Sequence, residues 1–261
     1  MRTLFHPPHR LHRERDIPRI IHQSWKTSDL PANYARWSAS WREKHPTWEY
    51  MLWTNEENDQ LVHDHYPWFR DTFDALPAPV MKADACRYLY MHHFGGVYAD
   101  LDFEALRDLG PLLAEQQLVL AAMSDDQSWD QSIPNAWLAS ARRHPFWLFT
   151  LAQILKAAGR NDTARDDWIE ATTGPVMLHA AVASYRAAGG VGLRVLSPGI
   201  IYPINWMDTT AGPRDGDGDE HSICNSLHAR FNDTACKSRF PEAYAITYWT
   251  HSWGFDHAHA T

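Results

Sequence analysis

One continuous segment, residues 78–103, constrains the fold of this chain more than any other part of the sequence. Its first part, APVMKADACRYLYMHHF at 78–94, predicts a helix that begins at a proline and ends at Gly95-Gly96, since glycine is common just past the end of a helix. Its second part, VYADLDF at 97–103, predicts a strand that contains two acids. A helix that leads through a tight turn into a strand is typical of an α/β fold.

The rest of the chain repeats this alternation of helices and strands. Apolar and β-branched runs predict strands, and apolar residues at helical spacing predict helices. The predicted strands lie at 17–25, 48–53, 118–123 and 191–196, and the predicted helices at 33–44, 55–65, 144–158 and 175–188. This order predicts a sheet flanked by helices in a single domain, residues 17–261, which follows a basic N-terminal extension at 1–16.

Charge and apolar patterning exclude several classes of protein. The formal net charge is −8, whereas nucleic acid binding depends on clustered Lys and Arg, so we expect no nucleic acid partner. No apolar run approaches the roughly 20 residues that a membrane-spanning helix needs, and the N-terminus lacks an apolar core of signal-peptide length. We therefore expect a soluble, cytoplasmic protein without a transmembrane segment.

The three cysteines, Cys86, Cys224 and Cys236, are too few and too unevenly spaced for a disulfide scaffold. We expect free thiols in a reducing compartment, with a bond between Cys224 and Cys236 as the alternative.

Asp100 and Asp102 are the first candidates for chemistry. Along a strand, residues two apart point to the same side, so the two carboxylates would repel each other unless a cation lies between them. Hard oxygen ligands of this kind suit Mg²⁺ or Mn²⁺. A solvated pair at a strand end is the alternative, but the apolar neighbours Val97, Tyr98 and Phe103 favour a cleft.

Asp84 and Arg87 form a second pair. They lie three residues apart on the predicted helix and therefore share a face. An exposed ion pair would contribute little, but apolar residues surround this one, which indicates a partly enclosed site. In such a site an aspartate can accept hydrogen bonds from sugar hydroxyls while a guanidinium steadies a phosphate or the aspartate itself.

Two stretches, IPRIIHQSWKT at 17–27 and MKADACRYLYMHHFGGVYADLDFEAL at 81–106, resemble glycosyltransferase family 32, the DXD sugar-binding group. The resemblance covers about residues 17–110 and extends to the catalytic domains of the large glucosylating toxins. It implies a GT-A fold, which is a Rossmann-like mixed sheet flanked by helices, and a sugar-nucleotide donor.

The resemblance also implies roles for individual residues. Asp84 and Arg87 match positions that contact the donor sugar, and Asp100 and Asp102 match the DXD motif that holds the metal and the diphosphate. Further candidates are His22, Gln23, Ser24 and Trp25 at the nucleotide, Asn135 as a polar stabiliser beside the donor sugar, the turn Thr173-Gly174-Pro175, His251 at the metal or the diphosphate, and Trp253 in the closing segment.

Several of these roles have plain structural alternatives. Trp25 is equally compatible with a place in the core, and Asn135 follows a proline and suits an ordinary turn. A lone histidine such as His251 is more often structural than a ligand.

The activity implied by the resemblance is metal-dependent transfer of a hexose from GDP-mannose, UDP-galactose or UDP-glucose to a glycan or glycolipid hydroxyl. The configuration would be retained, and the cofactor would be Mn²⁺ or Mg²⁺. Two other interpretations stay open: a nucleotide-sugar hydrolase or phosphoesterase, and a sugar- or nucleotide-binding module without catalysis. The sequence identifies neither the base of the donor nor the acceptor.

Overall fold

A mixed, six-stranded sheet forms the centre of the fold. The computed structural model describes residues 16–126, 128–159, 167–205, 223–224, 226 and 228–250. In chain order the strands are β1 Ile20–Ser24, β2 Glu49–Trp53, β3 Gly96–Ala99, β4 Phe103–Ala105, β5 Leu118–Ala121, β6 Trp137–Ser140, β7 Leu193–Leu196 and β8 Ala245–Thr247.

The strands of the main sheet follow the order β2-β1-β3-β6-β5-β7. Strand β1 is parallel to β2 and β3, β5 is parallel to β7, and β6 runs antiparallel to both of its neighbours. Strands β4 and β8 form a separate antiparallel pair. The predicted sheet is therefore confirmed, with β6 as the strand that makes it mixed.

The helices match the predicted ones closely and add several short ones. They are α1 Ala32–Lys44, α2 Asn55–His65, α3 Arg70–Ala75, α4 Pro79–His93, α5 Gly110–Leu113, α6 Pro145–Ala158, α7 Trp168–Thr172, α8 Pro175–Ala187 and α9 Asp233–Lys237. A capping box begins α2, because the Thr54 side chain accepts from the Glu57 amide and the Glu57 side chain accepts from the Thr54 amide. None of the helices in the described ranges has both the length and the apolar character needed to cross a bilayer.

Alternate residues of the central strands pack into two separate hydrophobic cores. Tyr98 and Leu138 point to the face that α4, α6 and α8 cover. Val97 and Trp137 point to the other face, where they pack near Phe103. Because both faces are covered, the helix that packs on the sheet and the turn that follows β3 are held in fixed positions.

The two glycines after α4 allow the helix to approach the sheet closely. Both have left-handed backbone, with φ of 68° at Gly95 and 97° at Gly96. A Cβ atom at Gly96 would lie 2.5 Å from the carbonyl oxygen of Ile20, and one at Gly95 would lie 2.7 Å from the amide nitrogen of Arg142. Only glycine fits this junction, which confirms the predicted end of the helix.

Two expectations need correction. The strand predicted at 97–103 ends at Ala99, so Asp100 and Asp102 lie in a turn rather than on one side of a strand. The turn forms because the Phe103 amide bonds to the Asp100 carbonyl oxygen at 3.1 Å, after which β4 leaves the main sheet to pair with β8.

The second correction concerns the cysteines. Cys224 and Cys236 form a disulfide bond, which was the alternative to the expected free thiols, and Cys86 is free and buried. The bonded pair packs in an apolar cluster with Trp37 and Tyr248, so the tertiary fold brings the two sulfurs together. The proposed extension at 1–16 lies outside the described residues except for Asp16, and its boundary stays a prediction.

Candidate active site

A cavity of about 660 Å³ opens at the carboxyl ends of β1 and β3. Asp100 and Asp102 follow β3 here, and Ser24 ends β1. In open α/β sheets, ligands bind at this edge. The polar and aromatic residues that line the cavity include Ser24, Trp25, Lys26, Tyr34, Asp84, Arg87, Tyr98, Asp100, Asp102, Asn135, Glu170, Trp249 and Thr250.

Arg87 lies between two carboxylates. Its Nη2 is 3.0 Å from Oδ1 of Asp84, and its Nη1 is 3.2 Å from Oδ1 of Asp100 and 3.0 Å from the carbonyl oxygen of Asn135. Burial by itself lowers the pKa of Arg87, but the charges of Asp100 and Asp84 outweigh it, and the guanidinium stays protonated. The pair predicted on one helix face is therefore a buried network that reaches the DXD turn.

Asp84 is held by three elements. Asn135 donates from Nδ2 to Oδ1 at 2.9 Å, and Thr173 donates from Oγ1 to Oδ2 at 3.0 Å. Tyr88 links these two residues, because its hydroxyl accepts from Asn135 Nδ2 at 3.1 Å and donates to the carbonyl oxygen of Thr173 at 2.8 Å. Burial raises the pKa of Asp84, and Arg87, Thr173 and Asn135 oppose that rise.

Asp100 is fixed through both its side chain and its main chain. Its Oδ1 accepts from the Tyr98 hydroxyl at 2.6 Å as well as from Arg87. Its carbonyl oxygen accepts from Nε2 of Gln23 at 3.1 Å, and Oε1 of Gln23 accepts from the Tyr50 hydroxyl at 2.8 Å. Gln23 therefore supports the acid turn from the neighbouring strand.

Asp102 is held from the C-terminal side of the chain. Its Oδ2 accepts from the amide nitrogen of Thr250 at 2.9 Å and from Oγ1 of Thr250 at 3.2 Å. Burial, followed by the charge of Asp100, raises the pKa of Asp102 to about 6. The two acids are thus close enough to repel each other.

The two acids fit a divalent cation. A cation between them would relieve their repulsion, and no hydrogen bond from the described residues reaches Oδ2 of Asp100. The described part of the chain contains no group of three or more His, Cys, Asp or Glu side chains that could hold a metal ion by itself. Two carboxylates could therefore supply only part of a coordination shell, and phosphate oxygens and water complete such shells around Mg²⁺ and similar ions.

Comparison with known proteins identifies the family. Residues 31–119 match the family described as "Glycosyltransferase sugar-binding region containing DXD motif". The matched range contains Asp84, Arg87, Asp100 and Asp102, which are charged residues of the cavity described above. Residues 31–119 are therefore a DXD-type sugar-binding region of the glycosyltransferase kind.

Named relatives of this chain come from fungi. Mannosyl phosphorylinositol ceramide synthase CSH1 of Saccharomyces cerevisiae is 33% identical over 186 residues, which are 70% of this chain and 48% of the relative. Inositol phosphoceramide mannosyltransferase 1 of Schizosaccharomyces pombe is 31% identical over 189 residues, 71% of this chain and 57% of the relative. The chain thus spans about half the length of these relatives.

A solved structure shares the fold. The structure titled "PaToxG Glycosyltransferase" superposes with a TM-score of 0.53 at 15% identity and covers 66% of this chain and 70% of that one. At this identity the likeness concerns the fold alone, and it confirms the predicted GT-A type.

The structure brings most of the predicted site residues together, but neither His22 nor Gln23 lines the cavity. The His22 ring is fully buried and stacks with Tyr90 at 5.6 Å. Its Nδ1 accepts from the Trp53 indole, which can only donate, so Nε2 carries the proton and donates to the Gly95 carbonyl oxygen at 2.9 Å. Burial lowers the pKa of His22 to about 4, and the ring is a neutral core residue.

The structure describes Trp25 but not the predicted residues of the C-terminal closing segment. Trp25 lines the cavity, and its ring meets the ring of Tyr34 edge to face at 5.0 Å. His251 and Trp253 lie outside the described residues, and their roles stay predictions. Trp249 and Thr250, which directly precede them, do line the cavity.

Three residues of the site were missed from the sequence. Tyr34, Tyr98 and Thr250 line the cavity and bond to one another or to the acids. Tyr98 and Thr250 adjoin motifs that were recognised, and this adjacency was the available signal. No such signal marked Tyr34, because it lies on α1, about fifty residues before Asp84.

Proposed function

We propose that this protein transfers a hexose from a nucleotide diphosphate sugar to a hydroxyl group of a glycan or glycolipid. The observation that carries the proposal is the convergence of Asp84, Arg87, Asp100 and Asp102 on one cavity. Its volume of about 660 Å³ is typical of small-molecule sites. Among the candidate donors we favour GDP-mannose, because the names of both fungal relatives refer to a mannosyl group.

Asp84 and Arg87 are proposed to hold the hexose. Oδ2 of Asp84 accepts one hydrogen bond from the described residues, that of Thr173, and can accept another from a sugar hydroxyl. Because Asp84 is buried and held from three elements, it would fix the orientation of the sugar, which favours reaction at the anomeric carbon.

Asp100 and Asp102 are proposed to hold the Mn²⁺ or Mg²⁺ ion together with the diphosphate. A cation bound there neutralises negative charge on the leaving group and acts as a Lewis acid. The aromatic wall of Trp25 and Tyr34 is proposed to take the base of the nucleotide, since flat aromatic faces stack on bases.

The proposed reaction retains the anomeric configuration. The bond from the anomeric carbon to the diphosphate oxygen breaks, and a bond from that carbon to the acceptor oxygen forms. The proton of the acceptor hydroxyl passes to the departing phosphate oxygen, so no protein base is needed on that face. Asn135, which Asp84 and Tyr88 hold in place, is the proposed polar stabiliser beside the reacting carbon.

The first test replaces each acid of the turn with its amide. Asp100→Asn and Asp102→Asn keep the size of the side chain and remove its charge, and we expect each to lower Mn²⁺-dependent transfer by about 10²–10³-fold. Transfer is measured with GDP-mannose, UDP-galactose and UDP-glucose on a panel of glycan and glycolipid acceptors, together with thermal unfolding as a check on folding.

Asp64→Asn is the matched control, because Asp64 is an exposed residue of α2. It should transfer sugar as the wild type does. Near-normal activity in either turn variant would contradict the proposal. Release of free sugar without transfer on every acceptor would favour the hydrolase, and donor binding without turnover would favour the binding module.

A further inference from the structure

The side chain of Asp102 is held at a single oxygen by a residue far along the chain. Thr250, 148 positions later, supplies two donors to Oδ2, its amide nitrogen at 2.9 Å and its Oγ1 at 3.2 Å, and the side chain of Thr247 also stabilises the carboxylate. Two donors at one oxygen fix the rotation of the carboxylate as well as its position. The orientation of this acid therefore depends on Thr250.

An unusual backbone conformation at Trp249 directs the amide and the hydroxyl of Thr250 toward Asp102. Its φ is +46°, a left-handed conformation that is uncommon for a bulky residue. The indole is stacked on Tyr202 at 5.7 Å, and its Nε1 donates to the carbonyl oxygen of Ile204 at 3.1 Å. These contacts hold a conformation that costs free energy locally, and such conformations are found where the surrounding structure enforces them.

A second hydrogen bond extends the arrangement to the aromatic wall. The hydroxyl of Tyr34 donates to Oγ1 of Thr250 at 3.0 Å. Because the threonine hydroxyl has one proton, which it donates to Asp102, it accepts from Tyr34, and the direction of both bonds is fixed. Tyr34 in turn meets Trp25 edge to face at the cavity.

We infer that Thr250 and Tyr34 are positioning residues, which orient the carboxylate of Asp102 for a divalent cation. The inference rests on the cation site of the proposed function. Hydrogen-bond partners of metal ligands set the orientation of the ligand, and loss of one such partner typically lowers metal affinity by about 10–100-fold.

The main chain does not need these side-chain bonds. The Asp102 carbonyl oxygen accepts from the amide of Tyr248 at 3.2 Å, and Phe103 pairs with Thr247 in the β4–β8 ladder. Backbone bonds therefore attach the C-terminal segment to the acid turn independently of the Thr250 and Tyr34 hydroxyls. The hydroxyl groups of Thr250 and Tyr34 act on the orientation of the Asp102 carboxylate. Substitutions that remove these hydroxyls can therefore test that orientation separately from the fold.

The test measures Mn²⁺ binding to the full chain by electron paramagnetic resonance, without any sugar nucleotide. Thr250→Val removes the hydroxyl but keeps the shape and the amide donor, and we expect about tenfold weaker Mn²⁺ binding. Thr250→Ser restores the hydroxyl and should restore the affinity to within about twofold. Tyr34→Phe should cause a smaller loss than Thr250→Val, because it acts through Thr250.

Two control variants make the same chemical changes elsewhere. Thr150→Val removes a buried hydroxyl that donates to the Phe146 carbonyl oxygen in α6, and Tyr185→Phe removes a hydroxyl that lies 3.4 Å from the Val191 carbonyl oxygen. Both should bind Mn²⁺ as the wild type does. Thermal unfolding of every variant separates a change of affinity from a loss of fold.

Three outcomes overturn the inference: wild-type affinity in Thr250→Val, an equal loss in Thr250→Val and Thr250→Ser, or no Mn²⁺ binding by the wild type. If Thr250→Val does not fold, Tyr34→Phe decides, and wild-type affinity in that variant counts against the inference. A wild type that binds Mn²⁺ but transfers no sugar contradicts the proposed function and leaves this inference standing.

Discussion

Arg87 is the residue on which the charge balance of the site depends. It is buried between Asp84 and Asp100 and also donates to the carbonyl oxygen of Asn135. A planar guanidinium can reach three oxygens at once, whereas a lysine ammonium is a point charge on a flexible stem. Removal of the cation would leave the buried carboxylate of Asp84 without its partner, beside the partly exposed carboxylate of Asp100.

We predict that Arg87→Met lowers the free energy of unfolding by about 3–5 kcal/mol, because it leaves a buried charge without its partner. Urea denaturation measures this. Arg70→Met is the control: Arg70 forms an exposed pair with Asp74 at 3.6 Å, and such pairs contribute about 1 kcal/mol or less. Equal losses in the two variants would show that Arg87 is an ordinary surface charge.

His22 determines part of the pH dependence of stability. Its pKa in the folded protein is about 4, well below the ordinary value of 6.5, because burial disfavours the charged ring. Between these values the unfolded chain binds more protons than the folded one. Protonation of His22 in the unfolded chain therefore has little effect on the free energy of unfolding above pH 6.5. As the pH drops from 6.5 toward 4, it lowers the free energy of unfolding progressively.

We predict that the wild type loses about 2 kcal/mol more stability than His22→Gln when the pH falls from about 7 to about 5. Urea denaturation of both proteins at the two pH values gives the difference directly. His93, whose pKa burial also lowers to about 4, is present in both proteins and cancels. Parallel losses would mean that His22 is not the titrating group.

At the scale of elements, the junction of α4 and β3 sets the geometry of the site. The helix carries Asp84 and Arg87, and the strand leads to Asp100 and Asp102, with the turn at Gly95 and Gly96 joining the two elements. The close contact of Gly96 with the backbone of Ile20 fixes how far the helix stands from the sheet.

We predict that Gly96→Ala destabilises the protein by about 3 kcal/mol, through left-handed strain of about 1 kcal/mol and a steric clash of about 2 kcal/mol. Gly189→Ala isolates the strain, because Gly189 has φ of +79° but no neighbouring heavy atom within 4 Å of the place that a Cβ would occupy. It should cost about 1 kcal/mol. Similar losses in the two variants would exclude a role for close approach.

At the scale of the whole molecule, the disulfide supports the C-terminal side of the site. Cys224 and Cys236 pack with Trp37 and Tyr248, and the Tyr248 amide bonds to the acid turn at Asp102. The bond closes a short loop, with a sequence separation of 12. It therefore braces the apolar cluster in which Trp37 of α1 meets Tyr248, the residue that follows β8.

We predict that replacing both Cys224 and Cys236 with serine lowers the free energy of unfolding by about 3 kcal/mol, the amount expected for a loop of this length. Thermal and urea unfolding measure the loss. Cys86 is the internal control, because burial raises its thiol pKa and encloses it, so native protein should not react there with thiol reagents. If two thiols of the native, unreduced protein reacted with such reagents, Cys224 and Cys236 would not be bonded.

Sequence patterns alone predicted the α/β class, the helix that ends at Gly95-Gly96, and four charged residues of the cavity. Periodicity, glycine stops and closely spaced acids are local signals, and all of them fall within residues 78–103. The family resemblance then joined these residues to one site, and the structure brings them to one cavity.

The side chains that complete the site come together only through the packing of distant segments. Tyr34 bonds to Thr250 across 216 positions of chain, and Thr250 bonds to Asp102 across 148. The tertiary fold also places His22 in the core. Strand β1 is covered on both faces, and a strand of that kind shows no alternation of polar and apolar residues. Contacts between distant segments depend on how the layers pack, and packing leaves no periodic trace in the sequence.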